Sequence, residues 1–230
     1  MSETPYILHY APDNASLVIR LALEELRAPF TTRLVDRRRA EQRESAYLKL
    51  NPNGLIPVLE TSDGAIFETA AILLWLADTH GALAPQREQA ERGSMLKWLF
   101  FLSNTFHPVL RHLFYPTQTV GPSEPALDAL EGQSQLTATK HLRTLDRVWA
   151  DSPQPMILSL YLAPMLRWIA IYPKDSNKSW FRLADYPALY HMAAQLEERP
   201  SVDAAVHAEG LGQTPFTSPT APKPPEGSAT

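Results

Sequence analysis

Three short stretches in the first third of the chain hold residue types that can do chemistry together. Tyr10-Ala11-Pro12-Asp13-Asn14-Ala15-Ser16 is a polar loop between an apolar pentad and an amphipathic run. A loop that feeds a helix start offers free amides and the positive end of the helix dipole, and both favour an anion. Ser16 either caps that helix or donates its hydroxyl to the bound anion. Tyr10, at the head of the loop, is a second hydroxyl candidate. Asn53-Gly54-Leu55-Ile56-Pro57-Val58-Leu59 opens a strand with proline, which has no amide to donate. A cis Ile56-Pro57 bond would present the Ile56 N–H and C=O together to a peptide-like ligand. A trans proline on an edge strand is the plain alternative. Glu68-Thr69-Ala70-Ala71-Ile72 begins a helix directly after a strand. Amides around Thr69 suit a carboxylate and Glu68 suits an ammonium, so the pair matches the zwitterionic end of an amino acid. An ordinary cap with an acidic first turn accounts for the same residues without a ligand.

Composition narrows the chemistry. The 230 residues are 44% hydrophobic and 20% charged, as in an ordinary globule large enough to bury a core. Asp plus Glu is 25 against 21 Lys plus Arg, a net charge of -4, which argues against nucleic-acid binding. There is no cysteine. Disulfides, thiolate metal sites and a cysteine nucleophile are therefore excluded, no metal is expected, and any sulfur chemistry must come from a ligand. A cysteine-free chain fits a reducing, cytoplasmic setting. Met-Ser-Glu-Thr-Pro-Tyr has no basic segment followed by an apolar run, so no leader is expected. No apolar run approaches the roughly 18 residues that cross a bilayer, so no membrane is expected either.

The elements that must position these residues fall into two halves. Strands are expected at Tyr6–Tyr10, Thr32–Asp36, Ile56–Glu60 and Ala65–Phe67, the last two joined by a hairpin turn at Ser62-Asp63-Gly64. Helices are expected at Ser16–Arg27, with Arg20, Glu24 and Arg27 facing water, at Ser45–Leu50, and at Glu68–Thr79, with Ile72, Leu73, Leu76 and Ala77 inward. That β-α-β-α-β-β-α order implies a mixed sheet with helices on both faces. Residues 82–88 read as a linker. Beyond it only helices are expected: Gln89–Tyr115, kinked at Pro108; Pro125–Trp149, buried along Leu136, Leu142, Leu145 and Trp149; an apolar Met156–Ile171; Tyr186–Arg199; and Ser201–Ala208. Residues 212–230, rich in proline, are expected to be disordered.

Asn53 to Leu59, followed by Phe67-Glu68-Thr69-Ala70-Ala71-Ile72, resembles the glutathione-binding signature of the glutathione transferase family. The resemblance runs from about Tyr6 to Ala208. It implies an α/β thioredoxin-like domain over 1–81 and an all-α helical-bundle domain over 89–211. It also implies a cis Pro57 and usually a homodimer. Glutathione would be the co-substrate: Ile56, beside Asn53 and Pro57, would pair its backbone with the cysteinyl unit, and Glu68 and Thr69 would hold the γ-glutamyl end. The loop is most similar to the bacterial beta class and its theta-like relatives. Where beta-class members carry Cys-Ser, this chain has Ala15-Ser16, so cysteine-dependent disulfide reduction is not expected and Ser16 is left to stabilise the thiolate. His107 falls where beta-class members place a site-facing histidine. Phe106, His107, Arg111, Phe114 and Tyr115 are candidates for a wall against a small hydrophobic electrophile, although such residues also make ordinary core. One of Arg37, Arg38 and Arg39, or Gln42 or Lys49, can reach the glycyl carboxylate; a solvated basic turn is the alternative. The family's capping box at the central helix is missing, since Met156 cannot cap and Ser159 replaces the aspartate.

The implied activity is attack of glutathione thiolate on the electrophile, a glutathione transferase. Peroxide reduction, ether cleavage, isomerisation and a non-catalytic glutathione- or protein-binding module remain alternatives on the same fold. A free thiol with a pKa of about 8.5 is only about 3% ionised at pH 7. Lowering it by two units takes about 2.7 kcal/mol. A hydroxyl donor to a charged acceptor supplies about 1.5–3 kcal/mol and a helix N-terminus about 0.3–1.

Overall fold

The computed structural model describes residues 6–229; Met1–Pro5, on which the expectation of no leader falls, and Thr230 lie outside the described residues. Alternation along β1 (Tyr6–Tyr10) sends Leu8 and Tyr10 into the main core, and places His9 beside Tyr47 in the smaller cluster on the opposite face. β1 pairs in parallel with β2 (Phe30–Leu34) and antiparallel with β3 (Val58–Thr61), which turns into β4 (Gly64–Phe67). The sheet order is β2-β1-β3-β4. β2 ends two residues before the expected Asp36, because the Asp36 side chain accepts from the Arg38 amide and caps a short turn at Arg37–Arg39. Helices α1 (Ser16–Leu26) and α3 (Thr69–His80) belong to the main core; Tyr47 of the one-turn α2 (Ser45–Leu48) packs in the small one with Val35 and Val58. This is the expected thioredoxin-like domain.

Among the described residues the second half contains helices and irregular segments but no strand. The stretch expected as one kinked helix is α4 (Glu91–Phe101), a wide π-helical turn at Leu102–Phe106, and α5 (His107–Phe114). Pro108 lies in the first turn of α5, where a missing amide costs nothing, so the irregularity falls before the proline. After α6 (Thr117–Val120) comes α7 (Glu124–Asp151), which buries Ser134, Ala138, Leu142 and Leu145. Leu136 does not join this stripe and is 69% exposed, since a position two residues from Ser134 or Ala138 lies on another face. The central helix α8 (Met156–Ile171) is buried from Ile157 to Ile169. It has no side-chain cap. The Leu83 carbonyl, on a linker residue with φ of 68°, accepts the Ile157 amide at 3.0 Å and satisfies the helix start by backbone instead. α9 (Pro187–Glu197) and α10 (Pro200–Glu209) complete the bundle. Among the described residues no helix is long and apolar enough to cross a membrane.

Buried charge departs most from expectation. Arg20 does not face water: it is buried, and its Nε donates to Glu209 Oε1 at 2.7 Å. Glu209 also accepts the Asp13 amide at 2.7 Å; burial pushes its carboxyl up while Arg20 opposes the shift. Asp13, at φ 48°, accepts Arg167 Nε (2.8 Å), Trp168 Nε1 (3.0 Å) and the Tyr172 hydroxyl (2.7 Å). Arg167 spends its remaining donors on the carbonyls of Leu211 (3.1 Å), Pro215 (3.0 Å) and Thr220 (3.0 Å). The last two acceptors lie in the segment expected to be disordered. That segment is packed instead: Phe216 is buried, and Glu197 accepts the Phe216 and Thr217 amides at 2.7 and 2.8 Å. Its few apolar side chains alone would not order it, but a buried guanidinium that needs carbonyl acceptors does.

Asp13→Ala leaves the Arg167 charge buried without its anion and is expected to cost about 3–5 kcal/mol of stability. Asp13→Asn, which keeps an acceptor, is expected to cost less. Urea unfolding of the two variants checks this, and equal midpoints for wild type and Asp13→Ala would contradict it.

Candidate functional site

The chain before β3 is held from behind. The Tyr47 hydroxyl and Asn51 Nδ2 each donate to the Leu55 carbonyl at 2.8 Å, and Asn51 Oδ1 accepts the Asn53 amide at 3.0 Å. Gly54, at φ 60°, lies so close to Gln42 that a Cβ would come within 2.8 Å of its carbonyl oxygen. Only glycine fits there. The Ile56–Pro57 bond is cis. Neither the amide nor the carbonyl of Ile56 has a hydrogen-bond partner among the described residues, whereas Val58 rejoins the sheet opposite His9. Nearby, Gln42 Oε1 is buried with no partner among the described residues.

Glu68 directly precedes α3 with φ 73° and is exposed. A non-glycine residue in that region is strained by about 1–3 kcal/mol, a feature concentrated at ligand sites. Thr69 is buried at the first position of the helix. Across the domain boundary, the Tyr161 hydroxyl of α8 lies 3.2 Å from His107 Nδ1. Burial first, and the Glu68 charge second, push the Tyr161 phenol up. Burial, with the charge of Arg111 behind it, lowers His107 to about 4, so its ring is neutral at pH 7. Tyr161 and His107 thus join α8 to α5, the Glu68 charge is felt at Tyr161 from the start of α3, and the π-helical turn lies directly before His107.

The start of α1 is arranged differently from expectation. Ser16 is fully buried; its hydroxyl donates to the Ala11 carbonyl (3.0 Å) and accepts the Ala11 amide (3.3 Å). Both functions of the hydroxyl stitch the loop, so it faces no cleft. Tyr10 is buried and donates to Glu226, and burial first and Glu226 second push its phenol up. Asn14 and Ala15 are the half-exposed residues of the loop, and Asn14, the one with a polar side chain, accepts the Ala15 amide on Oδ1 at 2.7 Å. Asn14 was legible only as a polar loop residue; nothing in its type separated it from Asp13.

A sequence model of the glutathione S-transferase N-terminal domain matches residues 15–79. The chain is 29% identical over 215 residues to the glutathione S-transferase GST-4.5 of Xanthomonas campestris, spanning 89% of this chain and 98% of that one. It is 26% identical over 214 residues to the disulfide-bond oxidoreductase YfcG of Escherichia coli, spanning 89% and 96%. A solved sphingomonad glutathione S-transferase complexed with glutathione is 32% identical at a TM-score of 0.72, with 90% of this chain and all of that one covered. The chain belongs to the glutathione S-transferase family.

In this transferase-family fold the expected wall residues separate. Phe106 is fully buried core. Arg111 and Tyr115, the guanidinium 5.6 Å from the ring centre, line an open cavity of about 200 Å³ with Pro108, His112, Gln118 and Thr119. Phe114 lines a separate cavity of about 90 Å³ beside Tyr172 and Trp180. Of the three arginines, Arg37 is engaged, donating to the Tyr115 hydroxyl at 3.2 Å and to the Ala229 carbonyl at 2.5 Å.

Because His107 is lowered from its unfolded value of about 6.5, the unfolded chain takes up a proton that the folded chain refuses. Stability is expected to fall as pH drops from about 6.5 towards 4. His107→Phe removes this contribution, so its urea midpoint is expected to fall less than the wild type's between about pH 7 and pH 5. Parallel losses would contradict the assignment.

Proposed function

We propose that this chain is a glutathione transferase that directs glutathione thiolate at a small hydrophobic electrophile. The observation that carries the reading is the unpaired Ile56 backbone beside the strained, exposed Glu68. An N–H and a C=O free on one residue pair with the cysteinyl unit as an added strand does. The Glu68 carboxylate takes the γ-glutamyl ammonium, the α3 amides at Thr69 take its carboxylate, and Asn53 borders the turn that holds Ile56 in place. A guanidinium or ammonium donor from Arg38, Arg39 or Lys49, or the Gln42 Nε2, suits the glycyl carboxylate. The tripeptide complexed with the sphingomonad relative suits such a notch.

The sulfur is placed at the start of α1, where the helix dipole favours the thiolate by about 0.3–1 kcal/mol; the Leu17 and Val18 amides already donate to the Asn14 and Ala15 carbonyls, which leaves the Ser16 amide to face it. The Asn14 side-chain amide adds a donor to a charged acceptor, worth about 1.5–3 kcal/mol. Together they reach the roughly 2.7 kcal/mol that a two-unit lowering requires. Ser16 supports this arrangement through the loop rather than by touching sulfur. In substitution, the sulfur lone pair forms the new carbon–sulfur bond and the leaving group departs with its electron pair; in addition, a proton from water follows onto the neighbouring carbon. Arg111, Tyr115 and the neutral His107 border the electrophile. The assembly is proposed to be a homodimer acting in detoxification in the cytoplasm.

Similarity to YfcG favours a second reading, thiol–disulfide exchange. With no cysteine in the chain, both reacting sulfurs would belong to ligands.

Calorimetry with glutathione is expected to show binding, weakened about three- to tenfold by Glu68→Ala, that is, by up to about 1.4 kcal/mol. No heat with the wild type would refute the reading. Thioether formation from 1-chloro-2,4-dinitrobenzene, and the lack of disulfide product from a glutathione mixed disulfide, separate transfer from exchange. Asn14→Ala is expected to lower turnover at least tenfold with glutathione affinity nearly intact.

A further inference from the structure

The segment after α10 crosses from the helical domain back to the sheet and ends against the residues that border the electrophile side. Its first part is anchored by structure: Arg167 on Pro215 and Thr220, the Lys223 amide on the Gly210 carbonyl at 2.8 Å, and Phe216 in the core. Its last part rests on a different set of groups. Glu226 accepts the Tyr10 hydroxyl, the Ala229 carbonyl accepts Arg37 Nη1, and a Cβ on Gly227, at φ 70°, would fall within 2.6 Å of Leu34 and 3.3 Å of Pro12. Arg37 in turn donates to Tyr115, which lines the cavity shared with Arg111. Residues 224–229 therefore cover Tyr10, Pro12 and Arg37, one hydrogen bond from that cavity.

The two parts differ in what holds them. The anchor satisfies a buried guanidinium and cannot leave cheaply. Glu226 and Gly227 are exposed and Ala229 is half-buried, with only Ser228 among them buried, and the Glu226 and Ala229 bonds lie at the edge of solvent, where water competes for them. The donors they cover, a phenol and a guanidinium, are of a kind that an oxygen-bearing ligand also recruits.

We propose that residues 224–229 are a latch on the electrophile side of the cleft, with Glu226 on Tyr10 and Ala229 on Arg37 as its catches. Closed, it occupies a subsite for the nitro or carboxylate oxygens of an electrophile; released, it exposes the Tyr10 hydroxyl and the Arg37 guanidinium to them. This rests on the transferase reading of the cleft for its ligand, but not for its mechanics.

The test compares the full chain, a chain ending at Lys223, and Glu226→Gln. Truncation after Lys223 keeps Pro215, Phe216 and Thr220, and the point variant serves where truncation disturbs folding. Nitration of Tyr10 by tetranitromethane, mapped by mass spectrometry with the exposed Tyr190 as internal standard, is expected to rise at least threefold on truncation and to a smaller extent in Glu226→Gln. At saturating glutathione, the KM for 1-chloro-2,4-dinitrobenzene is expected to fall at least threefold with kcat little changed. Unchanged Tyr10 nitration in both variants overturns the latch. Faster nitration with an unchanged KM overturns its place on the electrophile path. A full chain that takes up no glutathione refutes the transferase reading, and the nitration comparison still decides whether the latch opens.

Discussion

The Asp13–Arg167 pair is the constraint on which the rest of the architecture turns. Both side chains are fully buried. An ion pair removed from water survives only if the remaining donors and acceptors are also met, and here they are: Trp168 and Tyr172 complete Asp13, and three carbonyls complete Arg167. Those partners come from the β1–α1 loop, α8 and the chain beyond α10. One charge pair thereby fixes the loop that leads to α1, the helix at the centre of the second domain, and the C-terminal segment. Arg20–Glu209 repeats the device one turn along α1 and ties it to α10.

This explains how a loop with a left-handed aspartate and no cysteine is shaped for a ligand. The loop does not hold itself. Asp13 pulls it from the helical domain, and Ser16 fastens it to Ala11 from inside. What remains on the ligand side is backbone and one amide. The same division is visible at Pro57, where Tyr47 and Asn51 restrain Leu55 from behind and leave the Ile56 main chain without a partner among the described residues. Charge enters where the two domains meet, at Glu68 opposite Tyr161.

Much of the first domain was legible because its signals are local. Alternation marked β1, the Ser-Asp-Gly turn marked the hairpin, and Pro57 and Glu68 stood at the junctions where strands begin and helices start. The central helix was legible from its almost wholly apolar run. Errors came from long-range pairing. Arg20 reads as solvent-facing because its acceptor is almost two hundred residues away, and Ser16 reads as a sulfur donor because nothing local reveals that Ala11 already uses its hydroxyl. The proline-rich segment reads as disordered by composition, since the guanidinium that orders it belongs to another helix. Leu136 was assigned to a stripe by residue type when its position on α7 faces outward.

The central claim is that a notch formed by Ile56, Glu68 and the start of α1 holds glutathione and stabilises its sulfur as thiolate. A crystal structure with glutathione soaked in tests it most directly. The account predicts the cysteinyl amide and carbonyl paired with Ile56, the γ-glutamyl ammonium on Glu68, and the sulfur within about 3.5 Å of the Asn14 side-chain amide or the Ser16 backbone amide. Glutathione bound elsewhere, or in the notch with its sulfur turned away from α1, would contradict it.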